Sequence, residues 1–128
     1  MKAQTTFSSP LGMLEITEED GALVSILFVS SSTPPTPPST PLLSKAKKEM
    51  EEYFRGKRSS FTLPLSPKGT PFQKKVWEIT STIGYGETKS YGEIAEIMGS
   101  KAYRAIGSAL GANPLPIVIP CHRVKAKD

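Results

Sequence analysis

With 128 residues, 38% of them hydrophobic, the chain can build one domain or two small ones sharing a packed core. No run approaches the ~20 apolar residues that cross a bilayer, and residues 1–20 lack the basic-then-apolar layout of a secretion signal, so a soluble, cytoplasmic protein (nuclear if eukaryotic) is expected. The net charge of +4 permits a polyanionic partner without requiring one; the single Cys and single His exclude an internal disulfide and, unless carboxylates help, a four-ligand zinc site.

Residues 4–29 read as a meander of short strands. Ser9-Pro10-Leu11-Gly12 and Glu18-Glu19-Asp20-Gly21 supply its turns, and an apolar run from Ala22 to Val29 follows. Residues 30–41 are Ser, Thr and five Pro, a composition that blocks helix and ladder alike, and an extended exposed spacer is predicted. Leu43, Ala46, Met50, Tyr53 and Phe54 share one helical face, and Gly56 stops that helix. Phe61, Leu63 and Leu65 alternate as in a short strand. The stretch from Pro67 to Gly69 separates a β-rich half, residues 1–66, from a helical half, residues 67–128.

Thr70-Pro71-Phe72-Gln73 is a helix start: Thr70 caps, Pro71 fits the first turn, and Gln73 closes a capping box. Phe72, Val76, Ile79 and Ile83 then recur at helical spacing until Gly84-Tyr85-Gly86 breaks the chain. Ser90-Tyr91-Gly92-Glu93 is a second capping box, opening a helix through Met98. After the turn at Gly99-Ser100 a third helix is predicted from about Ala102 to Ala112, ended by Asn113-Pro114. The fold class is therefore α+β, and the second half has the outline of a helix-turn-helix. The third helix carries Ala102, Ala105, Gly107, Ser108 and Ala109, small enough to approach another surface closely; a neighbouring helix is the commoner reason for such a stripe.

Ile117, Val118 and Ile119 predict a short buried strand, stiffened by Pro116 and Pro120, from whose end Cys121 emerges beside His122 and Arg123. A free thiol has a pKa of about 8.5 and reacts as the thiolate. Thiol, base and fixed backbone are the ingredients of a nucleophile; a structural Cys next to a surface His is the alternative.

Ile119-Pro-Cys-His-Arg-Val124 resembles the active-site signature of the O6-alkylguanine-DNA alkyltransferases, also called methylated-DNA–protein-cysteine methyltransferases. Gly69-Thr-Pro-Phe-Gln-Lys-Lys-Val-Trp77, Ile83-Gly-Tyr-Gly-Glu-Thr-Lys-Ser-Tyr-Gly-Glu-Ile-Ala95 and Arg104-Ala-Ile-Gly-Ser-Ala-Leu-Gly-Ala-Asn-Pro114 are similar to that family's segments in the same order. The opening Ser8-Ser-Pro-Leu-Gly12 resembles its first strands, so the likeness spans nearly the whole chain.

The resemblance implies a ribonuclease H-like N-terminal domain, a small antiparallel sheet with a helix, followed by a winged helix-turn-helix-like DNA-binding domain. It implies stoichiometric transfer of a methyl or alkyl group from O6-alkylguanine, or O4-alkylthymine, in double-stranded DNA to Cys121, by a monomer that needs neither cofactor nor metal. The base must leave the stack to be reached. Arg104 matches the finger that fills the gap from the minor groove, with Tyr91 rotating the phosphate and donating to the flipped base. Ala105, Gly107 and Ser108 match the groove-facing residues of the recognition helix. His122, through a water, matches the acceptor of the thiol proton, and Asn113 the hinge that ties the recognition helix to the Cys segment. Leu110 packs on the base, while the Cys121 and Val124 carbonyls read its amino group.

Three departures accompany the match. Tyr103, beside Arg104, stands where relatives often carry a small residue and is a further candidate for DNA contact. The zinc ligands that some members carry in the first half are absent. Family chains usually continue a few dozen residues beyond this motif, with a Gly-rich pocket roof and a final helix bearing a glutamate. No residue of this sequence is assigned to either role, and poor transfer, or none, is the resulting expectation. The rival readings are a non-catalytic alkyltransferase-like lesion binder, whose members typically replace the Cys, a helix-turn-helix regulator, and a Cys-His hydrolase.

Overall fold

The computed structural model describes residues 2–125 and divides into two compact units, Met1–Pro67 and Lys68–Asp128. In the first, strands β1 (Lys2–Ser9), β2 (Gly12–Glu19) and β3 (Ala22–Phe28) form an antiparallel sheet in that order. The β2–β3 turn needs two left-handed residues to match the strand twist, and Asp20 (φ 51°) and Gly21 (φ 82°) provide them, setting Glu19 opposite Ala22. Helix α1 (Pro41–Phe54) starts on Thr40, whose hydroxyl accepts from the Leu43 N–H at 3.1 Å and also bonds the Glu18 carboxylate. It packs against β1 and β2, with Leu43, Ala46 and Met50 fully buried.

Two parts of this unit differ from expectation. The Pro-rich segment is exposed over most of its length, yet it is more than a spacer. Thr36 straps it to the free edge of β1: its N–H donates to the Thr6 carbonyl (2.9 Å), its hydroxyl accepts from the Thr6 N–H (2.9 Å), and its carbonyl accepts from the Thr5 hydroxyl (2.8 Å). Residues 61–65 make no strand. Leu23 donates to the Pro64 carbonyl and accepts from the Ser66 N–H, a single bridge to Leu65, and the ladder stops because Pro64 and Pro67 lack donors.

Glu49 is buried with its charge (2% exposed). Its carboxylate accepts from the Thr62 N–H (2.9 Å) and hydroxyl (2.5 Å), with Arg58 at 3.7 Å and Lys45 at 4.0 Å. This cluster ties the chain after α1 back onto the helix.

The second unit is the helix-turn-helix. Helix α2 (Pro71–Thr80) and helix α3 (Tyr91–Met98) both begin with complete capping boxes, Thr70 with Gln73 and Ser90 with Glu93. Gly99, left-handed at φ 66°, closes α3, and α4 (Tyr103–Gly111) follows. Val76, Ile79, Ile94, Ala95, Ile106, Ala109 and Leu110 form one core among the three helices. The buried Trp77 locks α2 to α4 by donating from Nε1 to the Ala109 carbonyl at 2.7 Å. Strand β4 (Lys89–Ser90) pairs in parallel with β5 (Val124–Lys125).

The predicted strand at 117–119 is absent. Ile117, Val118 and Ile119 are buried, but in a tight loop that the Ile119 N–H closes on the Leu115 carbonyl at 2.9 Å. Ile117 takes φ 77°, rare for a β-branched residue and costing roughly 1–3 kcal/mol. Pro116 and Pro120 lack the N–H groups that a ladder would use, so β-propensity yields to loop closure.

Two expectations follow. Burial alone would raise the Glu49 pKa, but the Thr62 bonds and the Arg58 and Lys45 charges outweigh it and hold it below the ordinary value. Glu49→Gln should cost about 1–3 kcal/mol at neutral pH in urea titrations. A depressed folded-state pKa contributes stability in full above the unfolded value of about 4.3 and loses it as pH falls through the folded value, so the gap to wild type should shrink at acid pH. At Gly69, an added Cβ would lie 2.6 Å from the Trp77 ring, so Gly69→Ala should lower stability by about 1–3 kcal/mol, read in the same titration.

Candidate active site

Asn113 lies two residues beyond α4 and gathers the following loop around its amide. Its Oδ1 accepts from the Leu115 N–H (2.9 Å); its Nδ2 donates both to the Ile119 carbonyl (2.9 Å) and to Cys121 Sγ (3.1 Å). Cys121 opens a 3-10 helix, Cys121–Arg123, and is half-buried, so the thiol sits at a fixed point on the rim of the core. Burial pushes the thiol up to about 11, although the Asn113 N–H pulls in the other direction. At pH 7 roughly one molecule in ten thousand then carries the thiolate.

His122 is exposed, and Asn113 rather than His122 is the side chain that meets the sulfur. Its imidazole is held below the ordinary pKa, first by partial burial and then by the adjacent Arg123 charge. The ring is therefore neutral at pH 7 and free to accept a proton.

Tyr91 is the first residue of α3, oriented by the Ser90 cap. Tyr91, Cys121 and Val124 pack, half-buried, on the helical core that contains Leu110. Four of the residues singled out in the sequence thus share one apolar cluster. Gly107 makes room for Tyr91: a Cβ there would stand 3.3 Å from the Tyr91 ring, so close helix approach accounts for at least this member of the small-residue stripe.

Arg104, Ala105, Ser108 and Tyr103 lie on the exposed face of α4. They border an open groove of about 740 Å³ whose other wall is Thr70, Phe72 and Gln73 of α2. Cys121 is not among the residues that line this groove.

Sequence reasoning missed the role of Arg123, although the residue lies within the quoted signature. Its Nη1 donates to the Ile83 carbonyl at 2.7 Å and its guanidinium lies over the Tyr85 ring at 5.7 Å. The pairing of β4 with β5 was also invisible, since two-residue strands leave no periodicity. Among the described residues no group of three or more His, Cys, Asp or Glu side chains could hold a metal, and no helix is long and apolar enough to cross a membrane.

Fold and site together define a helix-turn-helix protein with a single cysteine held against its helical core. Known proteins make the class specific. The family of the 6-O-methylguanine DNA methyltransferases matches in both halves, its ribonuclease-like domain over residues 3–67 and its DNA-binding domain over residues 71–128. The constitutive methylated-DNA–protein-cysteine methyltransferase of Bacillus subtilis is 46% identical over 138 residues, covering 100% of this chain and 83% of that protein. The crystal structure of Mycobacterium tuberculosis O6-methylguanine methyltransferase superposes with a TM-score of 0.87 at 36% identity, over 98% of this chain and 79% of that one. A DNA complex of the M. tuberculosis protein gives 0.83 at 38% identity, over 94% and 76%. The chain belongs to the 6-O-methylguanine DNA methyltransferase family.

Asn113→Asp keeps the acceptor for the Leu115 N–H but replaces the donor to sulfur with a negative charge. The Cys121 titration should move above its wild-type midpoint, and alkylation by iodoacetamide at pH 8 should slow by about tenfold, followed by intact mass.

Proposed function

We propose that this protein repairs double-stranded DNA by moving a methyl or larger alkyl group from O6 of guanine, or O4 of thymine, onto Cys121, once per molecule. The observation that carries the reading is the Asn113 bridge, which joins the end of the α4 recognition helix to the sulfur. Family membership and the relative crystallised with DNA support the DNA partner. The chemistry is assigned to the half from residue 67 onward, acting as a monomer from the minor groove.

The exposed face of α4 enters the groove with Ala105 and Ser108 against the sugar edges, and Gly107 lets Tyr91 lie close by. Arg104 fills the space left by the extruded nucleotide, and Tyr103 beside it adds a flat surface for a neighbouring sugar or base. The flipped base then rests on Leu110, its amino group donating to the Cys121 and Val124 carbonyls. Sulfur attacks the alkyl carbon in line as the carbon–O6 bond breaks. The electron pair goes to the purine, which the Tyr91 hydroxyl protonates or hydrogen-bonds, while the thiol proton passes through water to His122. A thioether has no easy leaving group, so the cycle ends there. The substrate supplies the transferred group, and the step calls for no cofactor.

Incubation with a duplex containing one O6-methylguanine should add one methyl group to intact mass, mapped to Cys121. Cys121→Ser should gain none and still bind the duplex; Arg104→Ala should lower transfer by about tenfold or more. A methyl group on any other residue, or undiminished gain by Cys121→Ser, would overturn the reading.

A further inference from the structure

Arg123 is two residues from the thiol, and the mechanism above leaves it unused. Its backbone N–H closes the turn that carries Cys121, donating to the Pro120 carbonyl at 2.9 Å. Its side chain leaves this turn for the α2–α3 loop, where it meets the Ile83 carbonyl at 2.7 Å and the face of Tyr85 at 5.7 Å. That loop is itself braced: the Glu87 carboxylate accepts from the Gly84 N–H (2.9 Å) and the Glu87 N–H donates to the Gly84 carbonyl (3.0 Å). Val124, the next residue, pairs with Lys89, and Lys125 with Ser90, the cap of the helix that begins with Tyr91. The segment carrying the sulfur and the segment carrying the tyrosine are thus fastened at two places, one a side-chain clamp and the other a strand pair.

We propose that Arg123 and Tyr85 form a positioning pair that fixes the reach between Cys121 and Tyr91 during alkyl transfer. The proposal rests on the reading of Cys121 as the acceptor. The guanidinium suits the task because its planar fork can bond a carbonyl while its face stacks on a ring. The Ile83 carbonyl follows α2, so the anchor is tied to a rigid helix. Tyr85 itself is 59% exposed, which makes it an aromatic surface for the cation rather than a core residue.

The test uses the full chain and four variants, Arg123→Met, Arg123→Lys, Tyr85→Leu and Tyr85→Phe. Three quantities are read for each: single-turnover transfer from an O6-methylguanine duplex, affinity for that duplex, and the rate of Cys121 with iodoacetamide. Iodoacetamide needs the thiol but no alignment with Tyr91. Loss of the clamp should slow transfer by about tenfold or more in Arg123→Met, and by a smaller factor in Tyr85→Leu, with the other two quantities within about twofold of wild type. Arg123→Lys and Tyr85→Phe should recover most of the rate. Transfer at the wild-type rate in both Arg123→Met and Tyr85→Leu would overturn the proposal. So would a loss of transfer matched by equal losses in affinity and iodoacetamide rate, because that pattern marks general damage. If Arg123→Met fails to fold, Tyr85→Leu, altered at an exposed position, decides alone. A wild-type chain that methylates no residue would instead remove the acceptor reading beneath the proposal.

Discussion

The amide of Asn113 is the constraint on which the site depends. One Nδ2 group donates to a carbonyl and a sulfur, while the Oδ1 of the same side chain holds the start of the loop. That three-way hold helps to keep Ile117 in a left-handed backbone conformation and Cys121 against the helical core. A β-branched residue at φ 77° survives only where its surroundings over-determine it. Here the buried side chain, the Leu115–Ile119 closure and the Asn113 amide do so together. The end of α4 and the sulfur are therefore joined through a single side chain.

The N-terminal unit works in the same way with different residues. Glu49 collects the Thr62 N–H and hydroxyl, and Thr36 collects both backbone groups of Thr6. In each case the polar groups of one residue stand in for regular secondary structure close to prolines that forbid it. Pro64 and Pro67 rule out a fourth strand, and the five prolines of residues 30–41 rule out a regular partner for β1. Buried polar groups must find partners, and a side chain that makes two or three bonds meets that demand with little extra chain.

Those substitutions also mark what could and could not be read from the sequence. Both capping boxes, the β-meander and the turn at Gly99 were legible because each depends on residues three or four apart. The α+β class and the helix-turn-helix followed from them. The strands expected at 61–65 and 117–119 failed because side-chain alternation ignores backbone donors, and proline decides whether a ladder can continue. Thr36, Glu49 and Arg123 were silent because their partners lie 30, 13 and 40 residues away and leave no periodic trace. The Cys121 motif was legible by resemblance alone; a lone Cys beside a lone His carries little information.

The raised thiol pKa fits a protein that can react only once. At about 11 the resting sulfur stays protonated, and making the thiolate at neutral pH costs about 5 kcal/mol. That cost shields the sulfur from stray oxidants and alkylating agents, which attack thiolates. It also leaves a stronger nucleophile once the proton is gone, since thiolate reactivity rises with basicity. The balance between resting silence and reactivity is set by two groups of opposite effect, the apolar wall that raises the pKa and the Asn113 N–H that lowers it. A cation at the sulfur would make the thiolate abundant and expose it continuously. A neutral amide instead holds the thiol in place and moderates its acidity.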